Sequence, residues 1–346
     1  MTRVAIVGDN FMRPAFFEDA LRTVLPDAPL EVRHHTLPWP DEPFVHGAAG
    51  TELEGLKELQ GDPAALVAFI ADAEILITHL APVSRSMLAR LPGLRLIGVS
   101  RGGPVNIDMT AAREHGVNVV NAPGRNSSAV AEFTIGAILA ETRLIRMGHE
   151  ALRQGVWRGD LYRADVTGEE LSELTVGIIG YGHIGTKVVR LLKPFGCRIL
   201  VDDPYVELRA EDRADGVEAV GLDELLERAD VVSLHARVTP ETTGFIDRRA
   251  FARMKRGAYF INTARGPMVD YTALQDALAA GHLRGAMLET FADEPTPPDL
   301  PLLRLPNVTL TPHIAGASLK TVKIAAAMVA EEVRRHFSGE PFLNPC

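Results

Sequence analysis

Cysteine is scarce in this chain, which contains only Cys197 and Cys346 among its 346 residues. Two cysteines so far apart form neither a disulfide framework nor the closely spaced thiols of a structural zinc site. Proteins of reducing compartments usually lack disulfides. We therefore expect a cytoplasmic protein without a metal centre.

Long apolar runs and basic blocks are also missing. No stretch reaches the ~20 apolar residues that a membrane-spanning helix needs, and the opening residues, MTRVAIVGDN, are too short and too polar for a signal peptide. The formal net charge is −9, without a block of Lys and Arg. We therefore expect neither a membrane nor nucleic acid as a partner. The length suffices for two domains.

The stretch 175–204, TVGIIGYGHIGTKVVRLLKPFGCRILVDDP, combines a glycine-rich turn with two apolar runs. The first run predicts a buried parallel strand, and the residues after the turn carry apolar side chains at helical spacing. The second run ends in two acids, Asp202 and Asp203. The order strand, turn, helix, strand, acid predicts a dinucleotide-binding unit rather than a βα turn without a ligand.

Each part of this turn has a physical role in binding a dinucleotide. Gly180 allows the tight turn, Gly182 lets the backbone approach a pyrophosphate, and Gly185 lets the helix pack on the strand. The helix N-terminus offers N–H groups and the positive end of its dipole to the phosphates. We include His183 and Ile184, directly before the helix, among the predicted cofactor contacts.

The acid that meets the ribose is one of two neighbours. Asp203 lies 18 residues after Gly185, where a carboxylate can accept hydrogen bonds from the ribose hydroxyls. Asp202 stands beside it and remains an alternative. Asp203 is favoured because Pro204 directly after it suits a strand that has just ended.

Alternating strand and helix patterns on both sides of this unit predict an α/β protein with two doubly wound parallel-sheet domains. Residues 121–313 would form a Rossmann domain that binds the dinucleotide. Residues 1–120 and 314–346 would form a flavodoxin-like, substrate-binding domain, which is discontinuous because the last helix returns to it. The active-site cleft is expected between the two domains.

Residues 127–146, SSAVAEFTIGAILAETRLIR, predict one long helix with a serine N-cap. Apolar residues cover much of its surface, so the helix needs partners on more than one side. We expect it to span two domains or to lie in the interface of a homodimer. Trp157 and Tyr162 are expected to anchor the polar segment that follows.

Three stretches of the second half place reactive side chains directly after predicted strands, where ligands of doubly wound sheets bind. Arg265 suits bidentate binding of a carboxylate, and Glu294 and His313 follow at successive strand ends. Singly, these residues could be a surface arginine, a loop charge and a structural histidine. Together, downstream of a dinucleotide turn, they predict a catalytic site. The stretches are INTARG (261–266), LETFADEP (288–295) and TPHIAGAS (311–318).

At these motifs the chain resembles the D-isomer-specific 2-hydroxyacid dehydrogenases, the group that includes phosphoglycerate, glycerate and D-lactate dehydrogenases. The resemblance runs from about residue 4 to residue 344. It rests on seven pieces in one order: NAPGRNSSAVAEFTIG (121–136), TVGIIGYGHIG (175–185), DDPYV (202–206), SLHARVTPETTGFI (233–246), FINTARGPMVD (260–270), LETFADEP (288–295) and TPHIAGAS (311–318).

The resemblance implies NAD as cofactor and a 2-hydroxy or 2-keto acid as substrate. It implies that Arg265 binds the substrate carboxylate, that His313 donates or accepts the proton, and that Glu294 hydrogen-bonds the imidazole. Hydride transfer builds negative charge on the carbonyl oxygen, so a proton donor and a cation belong there and no metal is required. Further cofactor contacts are implied at His235, Thr263, Ala264 and Glu289.

Departures from the family pattern leave the substrate open. Glu289 stands where the family usually has Asp. In the substrate-binding loop, Arg101 replaces a small residue before Gly102 and Gly103. Arg101 either meets a second polar group of the substrate, or pairs with a nearby acid and only shapes the loop. The first alternative predicts a polar or longer acid, hydroxylated or phosphorylated.

Two other functions remain possible for such a chain. One is a regulatory protein that senses NAD(H), as the C-terminal-binding corepressors do. The other is an enzyme acting on formate or phosphite, but formate enzymes usually lack the partner that Glu294 provides. The chain stops at Cys346, so we expect no regulatory extension of the phosphoglycerate-dehydrogenase kind.

We predict that NAD is preferred over NADP. A carboxylate about 4 Å from the 2′-phosphate of NADP would repel it by a few kcal/mol at an effective dielectric constant of about 20. Asp203→Ala should narrow the preference, measured as the ratio of kcat/KM with NADH to that with NADPH. Equal or higher efficiency of the unmodified protein with NADPH would refute this prediction.

Overall fold

The computed structural model describes residues 1–39 and 45–346. Backbone contacts divide the chain into unit 1, residues 1–126 with 318–346, and unit 2, residues 127–317. Within the described ranges, no helix combines the length and the apolar character that a membrane crossing requires.

Unit 1 is built on a parallel sheet whose central strands are apolar and largely buried. Its strands are β1 (Thr2–Asp9), β2 (Leu30–Leu37), β3 (Ile75–Thr78), β4 (Leu96–Val99) and β5 (Asn118–Asn121). Its helices are α1 (Pro14–Val24), α2 (Pro63–Ile70), α3 (Arg85–Ala89), α4 (Met109–Glu114) and α12 (Leu319–Ser338). The strand order β2-β1-β3-β4-β5 is flavodoxin-like and confirms the predicted class of fold. An exposed loop predicted at 38–50 from its prolines and glycines lies partly outside the described residues, at 40–44.

Helix α12 belongs to unit 1 although it follows all of unit 2 in the sequence. It packs against α1 and β4, and Val329 on its apolar face is fully buried. Glu332, also fully buried, accepts hydrogen bonds from the backbone N–H groups of Leu343 and Asn344 at 3.0 and 2.7 Å. These bonds satisfy the buried carboxylate and fasten the C-terminal segment to the helix.

Unit 2 is built on a second, larger parallel sheet. Its strands are β6 (Thr175–Ile179), β7 (Arg198–Asp202), β8 (Glu218–Ala219), β9 (Val231–Leu234), β10 (Tyr259–Asn262), β11 (Gly285–Leu288) and β12 (Val308–Leu310). Its helices are α5 (Ser127–Thr142), α6 (Ile145–Arg153), α7 (Gly185–Leu192), α8 (Ala210–Ala214), α9 (Leu222–Arg228), α10 (Arg248–Arg253) and α11 (Tyr271–Ala279). The order β12-β11-β10-β9-β6-β7-β8 reverses between β6 and β9, as in a Rossmann fold.

The single long helix predicted over 127–146 is wrong, because two helices occupy this region. Helix α5 ends at Thr142, and Leu144 takes a left-handed conformation with φ of 56° before α6 begins. Arg146 holds the new direction, since it donates to the carbonyl oxygen of Pro306 at 2.9 Å and to Glu150 at 3.0 Å. Because Pro306 is distant in the sequence, the pattern of residues 127–146 could not predict this contact.

The expectation that Trp157 and Tyr162 anchor their segment is also wrong within a single chain. Their side chains are 84% and 96% exposed. Ile145, Leu152 and Val156 are exposed as well. These five side chains make up what we call the 145–162 apolar surface.

Gly98 in β4 allows a test of how α12 packs on the sheet of unit 1. A Cβ at this position would lie 2.6 Å from Cγ1 of Val329. We expect Gly98→Ala to lower the free energy of unfolding of unit 1 in urea by about 1–3 kcal/mol. In a Val329→Ala background the loss should be smaller, because the new methyl group then has room.

The matched control for this test is Gly93→Ala. A Cβ at Gly93 would meet no atom of the described residues closer than 3.7 Å. We therefore expect little change from this replacement. Equal losses for Gly98→Ala in both backgrounds would show that the contact with Val329 does not limit the packing of α12.

Candidate active site

The glycine-rich turn lies between β6 and α7 and is packed tightly on one side. Gly180 has φ of 96°, and a Cβ there would lie 2.6 Å from the backbone nitrogen of Ala236. A Cβ at Gly185 would lie 2.0 Å from the carbonyl oxygen of Gly180. At Gly182, in contrast, no atom of the described residues other than its chain neighbours comes within 4 Å of the Cβ position. The turn therefore has open space at the glycine that the sequence assigns to the pyrophosphate.

The N-terminus of α7 directly follows this turn. His183 is exposed, Ile184 is half-buried, and the helix begins at Gly185. No side chain of the described residues caps this terminus. Its N–H groups suit an anionic ligand such as a phosphate.

Of the two neighbouring acids, Asp203 is the one that contacts the glycine-rich turn. Its Oδ2 accepts a hydrogen bond from the N–H of Tyr181 at 2.7 Å. Its Oδ1 accepts from the N–H groups of Tyr205 and Val206 at 2.9 and 3.0 Å. Asp202 ends β7, and burial raises the pKa of its carboxyl, with a further contribution from the charge of Asp203.

Three more predicted cofactor contacts are buried at the carboxyl edge of the same sheet. Nε2 of His235 lies 2.9 Å from the hydroxyl of Ser233, and burial lowers the pKa of the imidazole to about 3. Its Nδ1 is buried without a hydrogen-bond partner among the described residues. The hydroxyl of Thr263 lies 2.8 Å from that of Thr134, and Ala264 follows in the same loop. A buried nitrogen without a partner is what a bound ligand would satisfy.

Arg265 lies on an exposed loop after β10. Its Nη1 donates to the carbonyl oxygen of Ala264 at 2.7 Å, which orients the guanidinium. The next residue, Gly266, packs against the backbone of Phe291, where a Cβ would lie 1.8 Å from the carbonyl oxygen. Only glycine allows the loop after β10 to come this close to the loop after β11.

Glu294 and His313 form a hydrogen-bonded pair. Nδ1 of His313 lies 2.7 Å from Oε2 of Glu294, while Oε1 accepts from the N–H of Phe291 at 2.8 Å. Burial alone would raise the pKa of Glu294, but the hydrogen bond and charge of His313 outweigh it, helped by the charge of Arg265. The carboxylate is therefore ionised at neutral pH and only accepts, so Nδ1 of His313 carries the hydrogen.

Glu289 holds the segment that carries His313. The side chain of Glu289 is buried, and its Oε1 accepts from the N–H of Ala315 at 2.8 Å. Its carbonyl oxygen accepts from the N–H of His313 at 3.0 Å, where the backbone is left-handed with φ of 54°. Burial raises the pKa of the Glu289 carboxyl. The carboxylate predicted to meet the cofactor therefore also fixes the histidine loop.

Arg101 lies in unit 1 and pairs with an acid. It forms an ion pair with the carboxylate of Glu58, and its Nη1 donates to the carbonyl oxygen of Glu58 at 3.0 Å. The adjacent Gly102 accepts from the side chain of Asn121 at 3.0 Å, and Gly103 is half-buried. The sequence left two alternatives for Arg101, and this arrangement matches the one in which Arg101 pairs with a nearby acid and shapes the loop. Arg101 thus gives no support to a preference for longer acids.

Sequence reasoning missed two residues that join the loops of this site. Asn262 ends β10, and its side chain accepts from the N–H of Ala264 at 3.0 Å and donates to the hydroxyl of Tyr271 at 3.3 Å. The hydroxyl of Tyr271 donates to the carbonyl oxygen of Thr290. An asparagine at the end of an apolar strand is the signal that could have been used, because a buried amide needs partners.

Comparison with known sequences agrees with this geometry. A family model described as "D-isomer specific 2-hydroxyacid dehydrogenase, NAD binding domain" matches residues 135–315. The D-3-phosphoglycerate dehydrogenase of Mycobacterium bovis is 38% identical over 300 residues, 86% of this chain and 56% of that protein. The glyoxylate reductase of Korarchaeum cryptofilum is 39% identical over 274 residues, 78% of this chain and 82% of that protein.

Comparison with solved structures gives the same result. The NAD-dependent formate dehydrogenase of Staphylococcus aureus, in complex with NAD, is 27% identical with a TM-score of 0.75, covering 99% of this chain and 98% of that chain. The chain spans about half the length (51–56%) of the phosphoglycerate dehydrogenases that it matches. The chain belongs to the D-isomer specific 2-hydroxyacid dehydrogenase family, and its cofactor is NAD.

Proposed function

We propose that the protein is an oxidoreductase that interconverts a D-2-hydroxy acid and its 2-keto acid. The observation that carries this proposal is the 2.7 Å hydrogen bond between His313 and Glu294, beside the loop of Arg265. A histidine oriented by a carboxylate, next to a guanidinium, supplies the acid–base group and the carboxylate-binding group that this reaction needs.

The proton-transfer part of the reaction is assigned to His313. NADH, when bound, would supply the hydride. Glu294 holds Nδ1, so Nε2 is the nitrogen that would give its proton to the carbonyl oxygen in reduction and take it back in oxidation. The side chain of His313 is 40% exposed, so the imidazole can exchange this proton with water.

Substrate orientation is assigned to Arg265. Its guanidinium is exposed and can accept a carboxylate in a bidentate arrangement. The positive charge of the bound guanidinium would also stabilise the negative charge that develops on the carbonyl oxygen. Glu289 would contribute by holding the backbone on both sides of His313.

A screen for NADH oxidation tests the proposal. The relatives include a glyoxylate reductase and phosphoglycerate dehydrogenases, so the screen uses 2-keto acids of different length and charge. These acids are glyoxylate, pyruvate, hydroxypyruvate, 3-phosphohydroxypyruvate and a four-carbon keto sugar acid. We expect turnover with at least one acid. Binding of NADH without turnover of any acid would instead favour a regulatory, NAD(H)-sensing protein.

We predict that His313→Ala loses most of kcat while NADH still binds, as measured by the fluorescence of the bound cofactor. A positioned acid–base group contributes roughly 10²–10⁴-fold. Glu294→Gln should lose less, and its activity in reduction should begin to fall at a lower pH, because a neutral amide no longer favours the protonated imidazole.

The control for this pair is His115→Ala, which removes an exposed histidine of unit 1. It should leave kcat and the pH profile as they are. Near wild-type turnover of both His313→Ala and Glu294→Gln over the whole pH range would exclude this assignment of the proton donor.

We further predict a homodimer that uses the 145–162 apolar surface together with α5. An exposed cluster of large apolar side chains is typical of an interaction site. Trp157→Asp should shift light scattering at micromolar concentration toward the monomer. Tyr205→Asp, which changes an aromatic residue that is also 83% exposed but lies outside this surface, is the control. A wild-type monomer would contradict the prediction.

A further inference from the structure

Tyr181 lies inside the glycine-rich turn, but its side chain is buried within unit 2. The side chain is 1% exposed and belongs to a buried apolar cluster with Leu208 and Val217, which flank α8. The next two residues of the turn, Gly182 and His183, are exposed in contrast. A buried tyrosine hydroxyl needs a hydrogen-bond partner. Tyr181 therefore acts through the groups that it contacts inside unit 2.

The partner of this hydroxyl is Asp212 on α8. The hydroxyl donates to Oδ2 of Asp212, and Lys193 forms an ion pair with Oδ1. Burial alone would raise the pKa of Asp212, but the hydrogen bonds of Lys193 and Tyr181 outweigh it and lower that pKa. Burial and the bond to Asp212 raise the pKa of Tyr181 to about 12. At neutral pH the bond thus joins a neutral donor to an ionised acceptor, which makes it strong.

The backbone of Tyr181 holds the other end of the same segment. Its N–H donates to Oδ2 of Asp203 at 2.7 Å, while its hydroxyl holds Asp212. Residues 203–212, which we call the 203–212 segment, are therefore fastened to the glycine-rich turn at both ends by one residue. Asp203 is the acid predicted to meet the ribose. Its position relative to the turn depends on both of these bonds.

The 203–212 segment has little apolar packing between these two ends. Only Leu208 and Asp212 are buried among its residues. Tyr205 and Val206, which follow Asp203 closely, are 83% and 43% exposed. A segment with few buried apolar contacts fluctuates unless hydrogen bonds hold it. Loss of the bond between Tyr181 and Asp212 would therefore free the segment, and Asp203 with it.

We propose that Tyr181 and Asp212 are positioning residues that fix Asp203 and thereby set both the affinity for NADH and the preference for NADH over NADPH. The two side chains act on the cofactor only through Asp203 and the backbone of the turn. Lys193 contributes by holding Asp212. The inference rests on NAD binding at the glycine-rich turn, and on the proposed function only where turnover is measured.

Titration of NADH and NADPH into the full chain, followed by the fluorescence of the bound cofactor, tests the inference without a substrate. Tyr181→Phe removes the hydroxyl and keeps the ring. We expect the Kd for NADH to rise roughly 5–50-fold, which is part of the roughly 10–150-fold that a hydrogen bond to a charged group contributes. The Kd for NADPH should rise less, because an Asp203 that can move away repels the 2′-phosphate less.

A double-mutant cycle tests whether the two side chains act through one bond. Asp212→Asn removes the charge that accepts from Tyr181, and it should also raise the Kd for NADH more than the Kd for NADPH. In the variant that carries both replacements, the rise should exceed that of the stronger single variant by less than about twofold. Asp212→Asn also provides the test if Tyr181→Phe does not fold, as judged by thermal unfolding.

Kinetics with an acid that is turned over distinguishes a positioning role from a general loss of structure. Tyr181→Phe should raise KM for NADH far more than it lowers kcat, because Arg265, Glu294 and His313 keep their own contacts. A wild type that turns over no acid would overturn the proposed function and remove this measurement. The titrations would still decide whether Tyr181 and Asp212 control the binding of the cofactor.

The matched control is Tyr259→Phe. Tyr259 is 3% exposed and begins β10 in the same sheet, and its hydroxyl is buried without a hydrogen-bond partner among the described residues. Its replacement should leave the Kd of both cofactors as it is. Equal losses of affinity for NADH and NADPH in Tyr181→Phe, or no loss at all, would overturn the inference.

Discussion

The parallel pairing of β10, β11 and β12 is the constraint on which the candidate site depends. Strands that run in one direction release their following segments at one edge of the sheet. Arg265, Glu294 and His313 are therefore neighbours although the first and the last lie 48 positions apart in the sequence. The close approach of Gly266 to Phe291 then sets how near the first two loops come. The arrangement of the reactive side chains at this edge thus depends on a close backbone contact that is made by a glycine and not by a polar residue.

The same constraint operates in unit 1 with a different electrostatic result. Asp9–His79 and Glu294–His313 are both carboxylate–imidazole pairs with nearly equal separations, 2.6 and 2.7 Å. The first pair is 0% and 5% exposed and the second 32% and 40%. A buried imidazole is held neutral and suits a fixed acceptor, whereas an exposed one can exchange protons with water. Exposure therefore decides which of these two imidazoles can exchange protons with water.

Buried polar side chains keep the loops of the candidate site in place. Asn262 and Tyr271 join the loop after β10 to the loop after β11, and Glu289 joins the end of β11 to the histidine loop. Each of these groups is buried or partly buried and hydrogen-bonded, so its removal would leave partners unsatisfied. The reactive groups themselves are more exposed than this support. A site that must be rigid and still admit a substrate is expected to combine buried supporting side chains with exposed reactive ones.

The sequence alone determined the two parallel sheets, the glycine-rich turn and the three residues at the strand ends, because period, turn chemistry and strand-end position are local properties. Tertiary structure decided the rest. The break after Thr142, the pairing of Arg101 with Glu58 and the exposure of Trp157 depend on contacts or neighbours far away in the sequence. A local sequence pattern predicts which side chains lie at the end of each strand, but only the tertiary structure determines which side chains contact one another.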